Sequence, residues 1–137
     1  MIRQLQSSLY GEIILCESTR TKETVAIKYV NLEKARCQRT LRDNVAVHEN
    51  IWTELETLIA IRKNGGHKNI VEFKDVHYDD KNMHIVMEHC AQGDLFNHVL
   101  DASPLTTVKS LELFKQIVDG VAFLHSIGFA HLDLSLE

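Results

Sequence analysis

Glu23-Thr-Val-Ala-Ile-Lys-Tyr-Val30 is the stretch on which the reading of this chain turns. β-Branched and aliphatic residues dominate it, a composition that suits a strand. Alternation with period two then puts Ala26 and Lys28 on one face, with Val25 and Ile27 on the other. Upstream, residues 9–15 have the same character, and the polar run Glu17-Ser-Thr-Arg-Thr-Lys22 between the two suits a hairpin turn. Downstream, further strands are predicted over Ile70–Tyr78 and Met83–Glu88, joined by Asp79-Asp-Lys-Asn82, a turn by composition.

Two segments carry helical spacing instead. Ile51, Leu55, Leu58 and Ile59 recur every three or four residues, and Gly65-Gly66 ends the pattern. Val108, Leu111, Phe114, Ile117, Val118, Val121 and Leu124 form a longer stripe, with Thr106 or Thr107 as N-cap and Gly128 at the C-terminal glycine position. Both stripes predict core packing. The single proline, Pro104, lies in a connection between elements, and there is no internal repeat or low-complexity tract. Strands first and a long helix last is an α+β order: a small sheet domain followed by the beginning of a helical one.

Composition bounds the function. The 137 residues, 45% of them hydrophobic, suit one domain or two small lobes. Lys and Arg number 15 against 19 Asp and Glu, a net charge of −4. A protein that neutralises nucleic-acid phosphates needs the opposite balance, so no nucleic-acid partner is expected. Arg36, Arg39 and Arg42 read as a solvated basic face. No apolar run approaches the roughly 20 residues that cross a bilayer, and the amino terminus has no signal-peptide core, so no membrane partner is expected either. Cys16, Cys37 and Cys90 are odd in number and lack Cys-x-x-Cys spacing, which fits a reducing compartment, cytoplasmic or nuclear. His48-Glu-Asn-Ile-Trp52 misses the second histidine of a zincin helix, and no metal site is expected from the remaining histidines.

Several residues could carry chemistry. A lysine that ends an apolar strand, such as Lys28, is most often solvated. Glu54, however, lies on the first helix one turn before Leu58, where its carboxylate could reach a lysine on the neighbouring sheet. A lysine paired and held in that way can grip phosphate oxygens as a point charge. Ile85-Val-Met-Glu-His-Cys-Ala-Gln-Gly-Asp-Leu-Phe96 begins as a buried strand and turns polar near Gly93. An extended segment with an acidic residue after it could read a purine edge and a ribose. Asp133, in an apolar segment after the long helix, could accept a proton from a hydroxyl nucleophile, although such an aspartate is commonly a cap or turn residue.

Taken in order, these fragments resemble the protein kinase family, and the resemblance covers essentially the whole chain. Val25-Ala-Ile-Lys28 resembles the strand whose lysine holds the ATP phosphates, and Glu54 the helix glutamate that pairs with it. His67-Lys-Asn-Ile-Val71 is similar to the turn that follows that helix. The resemblance implies that Met87 is the gatekeeper and that backbone at Glu88 and Cys90 receives adenine. It further implies that Asp94 contacts ribose, that Ile13, Ala26 and Leu95 sandwich the ring, and that Asp133 is the catalytic base. It divides the chain into a small lobe at 1–87, a hinge at 88–94 and the start of a large lobe at 95–137.

Departures from the family pattern are equally specific. The Gly-rich loop aligns with Gln6-Ser-Ser-Leu-Tyr-Gly11-Glu-Ile13, where only the third glycine, Gly11, survives. Leu132 replaces the arginine of His-Arg-Asp, and Ser135 the lysine typical of serine/threonine kinases. The asparagine and the Asp-Phe-Gly aspartate that hold Mg²⁺ would come after Glu137, so the chain reads as the first half of a kinase domain. The resemblance therefore implies ATP and Mg²⁺ as cofactors, a protein substrate, and phosphotransfer by the complete domain, with serine/threonine acceptors favoured. A pseudokinase or half-kinase binding module is the alternative. In a half-domain the apolar stripe of the last helix would lie open as a docking face.

Overall fold

The computed structural model describes residues 1–101 and 105–135; Pro104 lies outside the described residues. Five strands form one antiparallel sheet: β1 (Arg3–Ser8), β2 (Gly11–Glu17), β3 (Thr24–Asn31), β4 (Phe73–Tyr78) and β5 (Asn82–Glu88). Their spatial order is β1-β2-β3-β5-β4. Among the described residues four helices accompany them: α1 (Leu32–Arg36), α2 (Ile51–Lys63), α3 (Leu95–Asp101) and α4 (Thr107–Ser126). By internal contacts the chain divides into a first unit, Met1–Ile59 with Glu72–His89, and a second, Ala60–Val71 with Cys90–Glu137.

In the first unit the alternation read from the sequence holds across three strands. Ile13 lies opposite Lys28 and Lys28 opposite Ile85, while Leu15 faces Ala26 and Ala26 faces Met87. Directly opposed residues of an antiparallel pair point to the same side, so all six share one sheet face. That face continues through Val30 and Met83, which with Ile85 are fully buried, into a cluster with Tyr10, Ala35, Phe73, Ile51 and Leu55. Ile51 and Leu55 are the inward positions of α2, so the helix seats on the sheet through the stripe its spacing announced. Ile14, Cys16 and Val25 form a smaller cluster on the opposite face, packed by Ile27, Tyr29 and Val86.

Several boundaries differ from the sequence-based expectation. The strand expected over residues 9–15 starts at Gly11, because Leu9 and Tyr10 form the turn of a β1–β2 hairpin in which Ser8 pairs with Gly11. The strand expected from Ile70 starts at Phe73, because the Ile70 N–H is taken at 2.9 Å by the His67 carbonyl in a turn. α1 is a single short helix, capped by the Asn31 side chain, which accepts from the Lys34 N–H at 3.0 Å.

In the second unit, α2 ends where Gly65 and Gly66 take φ of +90° and +70°, and the Gly66 N–H closes on the Ile61 carbonyl at 2.9 Å. A residue with a Cβ is strained there, which is why glycine stops the helix. The turn at residues 67–70 packs on α4. The His67 ring stacks on Phe123 with centroids 5.2 Å apart, and a Cβ on Gly120 would lie 3.1 Å from the Asn69 carbonyl oxygen. Thr106 caps α4, accepting from the Lys109 N–H at 3.2 Å. Only part of the α4 stripe is buried: Leu124 is, whereas Val108, Leu111, Phe114, Ile117 and Val118 are exposed.

Candidate functional site

Lys28 is the centre of the first unit's candidate site. It lies inside β3, between Ile13 on β2 and Ile85 on β5, and its ammonium donates to both Glu54 carboxylate oxygens at 2.7 Å. Lys28 is 17% exposed along its side chain and Glu54 42%, so the pair sits at the border of the apolar face with one side open to water. Glu54 owes its place to Leu55, whose burial fixes the rotation of α2 and turns the preceding residue toward the sheet edge. A bidentate grip holds a flexible lysine in one geometry, as phosphate binding requires. Ala26, one pleat along β3 from Lys28, is buried, and Ile13 is half-buried on the same face. Met87, opposite Ala26, packs against the main core cluster.

Glu88 ends β5. Its N–H donates to the Glu72 carbonyl at 3.0 Å, and its carboxylate accepts from the Glu72 N–H at 2.9 Å. These bonds tie the end of β5 to the residue that precedes β4. His89 follows, with its Nδ1 3.3 Å from Thr24 Oγ1.

Gly11 is present for a reason internal to the sheet. A Cβ at this position would lie 2.1 Å from the Tyr29 carbonyl oxygen and 3.0 Å from the Tyr29 carbonyl carbon. The hairpin before it is held at several points. The Leu9 carbonyl accepts from the Leu41 N–H at 2.7 Å and the Tyr10 carbonyl from the Asn31 N–H at 2.9 Å. The Arg42 guanidinium donates to Ser7 Oγ, and the Tyr10 hydroxyl donates to the Glu49 carbonyl. Arg42 thus belongs to a hydrogen-bonded clamp, not to a free basic face. Tyr10 is outside the sequence-based candidates. Its signal was an aromatic residue beside the aligned third glycine, which reads equally well as an exposed loop tip.

The remaining candidates belong to the second unit. Cys90 accepts at its carbonyl from the Gly93 N–H at 3.1 Å in a turn where Gly93 has φ +77°. Asp94 is exposed and caps α3: one carboxylate oxygen accepts from the Asn97 N–H at 2.7 Å and the other from the Asn97 side chain at 2.8 Å. Leu95, the first residue of α3, is half-buried. Asp133 is exposed, with its N–H donated to His131 Nδ1 at 3.3 Å. Leu132 before it is 94% exposed and has φ +64°, a left-handed conformation that is strained for a branched side chain.

Among the described residues no group of three or more His, Cys, Asp or Glu side chains is placed to hold a metal ion. Among them, too, no helix is long and apolar enough to cross a membrane.

Relatives among known proteins match the chain over nearly its whole length. Serine/threonine-protein kinase SAPK3 of rice is 30% identical over 136 residues, which cover 99% of this chain and 36% of that protein. Serine/threonine-protein kinase SRK2A of the moss Physcomitrium patens is 29% identical over 137 residues, 100% of this chain and 35% of the relative. Calcium-dependent protein kinase 7 of rice is 33% identical over 135 residues, 98% of this chain and 23% of the relative. The chain thus spans little more than a third of the first two relatives' length. The sequence matches the protein kinase domain family over residues 2–137, and the chain belongs to that family.

Proposed function

We propose that the complete domain to which these residues belong is an ATP-dependent protein kinase with serine or threonine acceptors, and that residues 1–137 form its nucleotide-gripping half. The observation that carries this reading is the bidentate Lys28–Glu54 ion pair, set on the same sheet face as Ala26, Ile13 and Met87. Lys28 holds phosphate oxygens while Glu54 keeps its ammonium in place. Ile13, Ala26 and Leu95 sandwich the adenine ring, whose edge is read by backbone at Glu88 and Cys90 beyond the gatekeeper Met87. Asp94 meets the ribose, at the expense of its bonds to Asn97. Asp133 orients the acceptor hydroxyl and takes its proton. Bound Mg²⁺ would neutralise charge on the phosphates, and none of these roles depends on it.

A second reading is a binding module that takes nucleotide without transferring phosphate. It is favoured by the clamped hairpin, because a segment fixed by Leu41, Asn31, Arg42 and Glu49 replaces a glycine-rich loop whose backbone is free to close on phosphates. Residues 1–137 by themselves behave in this second way.

Calorimetric titration with ATP and a labelled-phosphate assay test both readings. Residues 1–137 are expected to bind ATP, with affinity weakened about tenfold or more in Lys28→Ala, as for loss of a charge-assisted contact. Asp133→Ala is expected to leave binding unchanged. Equal ATP affinity in the wild type and Lys28→Ala refutes the nucleotide-gripping role. Phosphate transfer by residues 1–137 that is lost in Asp133→Ala refutes their inactivity.

A further inference from the structure

Tyr10 occupies the tip of the β1–β2 hairpin, a position where an aromatic ring would ordinarily be solvated, yet it is only 3% exposed. Its ring is part of the cluster that contains Ile51 and Leu55, the buried residues of α2 in that cluster. Its hydroxyl donates to the main-chain carbonyl of Glu49, two residues before α2 begins. The next residue, Asn50, starts the helix: its side chain accepts from the Trp52 N–H at 2.9 Å, and its carbonyl accepts from the Glu54 N–H at 3.2 Å. An unbroken path of packing and hydrogen bonds therefore runs from the hairpin tip through Glu49 and Asn50 to Glu54, the partner of Lys28.

We infer that Tyr10 is a positioning residue that ties the β1–β2 hairpin to the start of α2 and thereby sets where Glu54 holds Lys28. The inference rests on the proposed role of Lys28 in gripping ATP. Ring and hydroxyl act separately. The ring wedges against Ile51 and Leu55 and fixes the distance of the helix from the sheet, while the hydroxyl fixes its position along the axis. Burial and the nearby Glu49 carboxylate both raise the Tyr10 pKa above its ordinary value, so the hydroxyl keeps the proton it donates. Because the acceptor is a main-chain carbonyl, the Glu49 side chain is dispensable to the contact. The two carbonyls at the hairpin turn, Leu9 and Tyr10, are already held by the Leu41 and Asn31 N–H groups, so the hairpin is a fixed anchor from which α2 can be positioned.

The test is Tyr10→Phe, which keeps the ring in the core and removes only the hydroxyl, measured alone and combined with Lys28→Ala in residues 1–137. Two readouts are taken: ATP affinity by calorimetry, and amide hydrogen exchange resolved to single residues. Tyr10→Phe is expected to weaken ATP binding about threefold or more, the effect of one lost hydrogen bond. It should have no further effect once Lys28 is Ala, and Glu49→Ala should bind ATP as the wild type does. Exchange at Glu54 and Leu55 should quicken while amides of β3 and β5 keep their protection. If Lys28→Ala itself leaves ATP binding unchanged, the nucleotide reading fails, and the exchange pattern alone then decides the coupling. Unchanged exchange at Glu54 and Leu55 in Tyr10→Phe overturns the inference. So does quickening spread evenly over β3, β5 and α2, which marks a merely structural side chain. Exchange quickened only at α2 with full additivity in the double variant, where Lys28→Ala does weaken binding, overturns the link to Lys28.

Discussion

Replacing Gly11 by Ala separates two explanations for the one glycine retained at the hairpin. If the glycine is there for the approach of a phosphate, its loss matters only when nucleotide is bound. The structure points to the strands themselves. The added Cβ would lie 2.1 Å from the Tyr29 carbonyl oxygen, whereas an ordinary carbon–oxygen contact is about 3.3 Å. β2 and β3 must therefore separate by about 1 Å at the point where Gly11 pairs with Val30. That movement strains the neighbouring 2.9 Å bond from the Asn31 N–H to the Tyr10 carbonyl and draws the Tyr10 ring partly out of its pocket. Overpacking of this kind costs about 1–3 kcal/mol and a lost hydrogen bond about 1 kcal/mol more, so Gly11→Ala should destabilise the first unit by about 2–4 kcal/mol. Trp52, the only tryptophan, packs against the main cluster of that unit and reports its unfolding by fluorescence. In urea without nucleotide, the midpoint should fall by about 1–2 M, taking a slope of about 2 kcal/mol/M. A fall of less than about 0.3 M would refute the reasoning. It would mean that the strands relax around a methyl group and that the glycine answers to something outside the sheet.

The Lys28–Glu54 pair should contribute little to stability despite its 2.7 Å geometry, because Glu54 is 42% exposed and water screens it. Glu54→Gln should lower the stability reported by Trp52 by less than about 1 kcal/mol while weakening ATP binding, and a larger stability loss would show a pair more buried than the geometry indicates. Asp79 is held far below the ordinary carboxylate range, first by the Lys81 N–H and then by His84 and the Asn82 N–H. A depressed folded-state pKa means that the carboxylate stabilises the β4–β5 turn fully above about pH 4 and loses that effect as pH falls through the folded value. Asp79→Ala should thus be less stable than the wild type at pH 7, and the gap should close in acid; a gap that persists unchanged at pH 2 would refute the assignment. Asp94→Ala should uncap α3, with faster hydrogen exchange at Asn97 and a local loss of about 1 kcal/mol. If ATP affinity falls with it, Asp94 serves ribose as well as the helix; unchanged exchange at Asn97 would refute the cap.

Elements with strong local periodicity were legible from residue types. β3, β5, α2 and α4 have runs long enough for their period to stand out from noise. Thr106 and Gly128 mark the ends of α4, the latter with φ +86°. β1 was not legible, because Gln4, Gln6, Ser7 and Ser8 make an edge strand whose order comes from pairing with β2 and not from an apolar face. α1 and α3, with five and seven residues, are too short for a helical stripe to repeat. Asp94 illustrates how one residue supports two readings: the same carboxylate that suits a ribose also suits a helix N-terminus, and only coordinates reveal the bonds to Asn97.

The candidate site divides along the same line. Chain geometry alone dictates that Ala26 and Lys28 share a face of a strand and that Glu54 precedes an inward-facing Leu55 on a helix. Whether Lys28 and Glu54 meet, across 26 residues of chain, depends on how far along the sheet α2 seats and at what rotation. The burial of Tyr10, 39 residues from Glu49, and the approach of Gly11 to the Tyr29 carbonyl depend on strand register and interstrand spacing. Local sequence sets the period of side chains because φ and ψ are local variables. Contacts between distant residues are set by the packing of whole elements, where many side chains together choose one arrangement, and only the folded structure displays that choice.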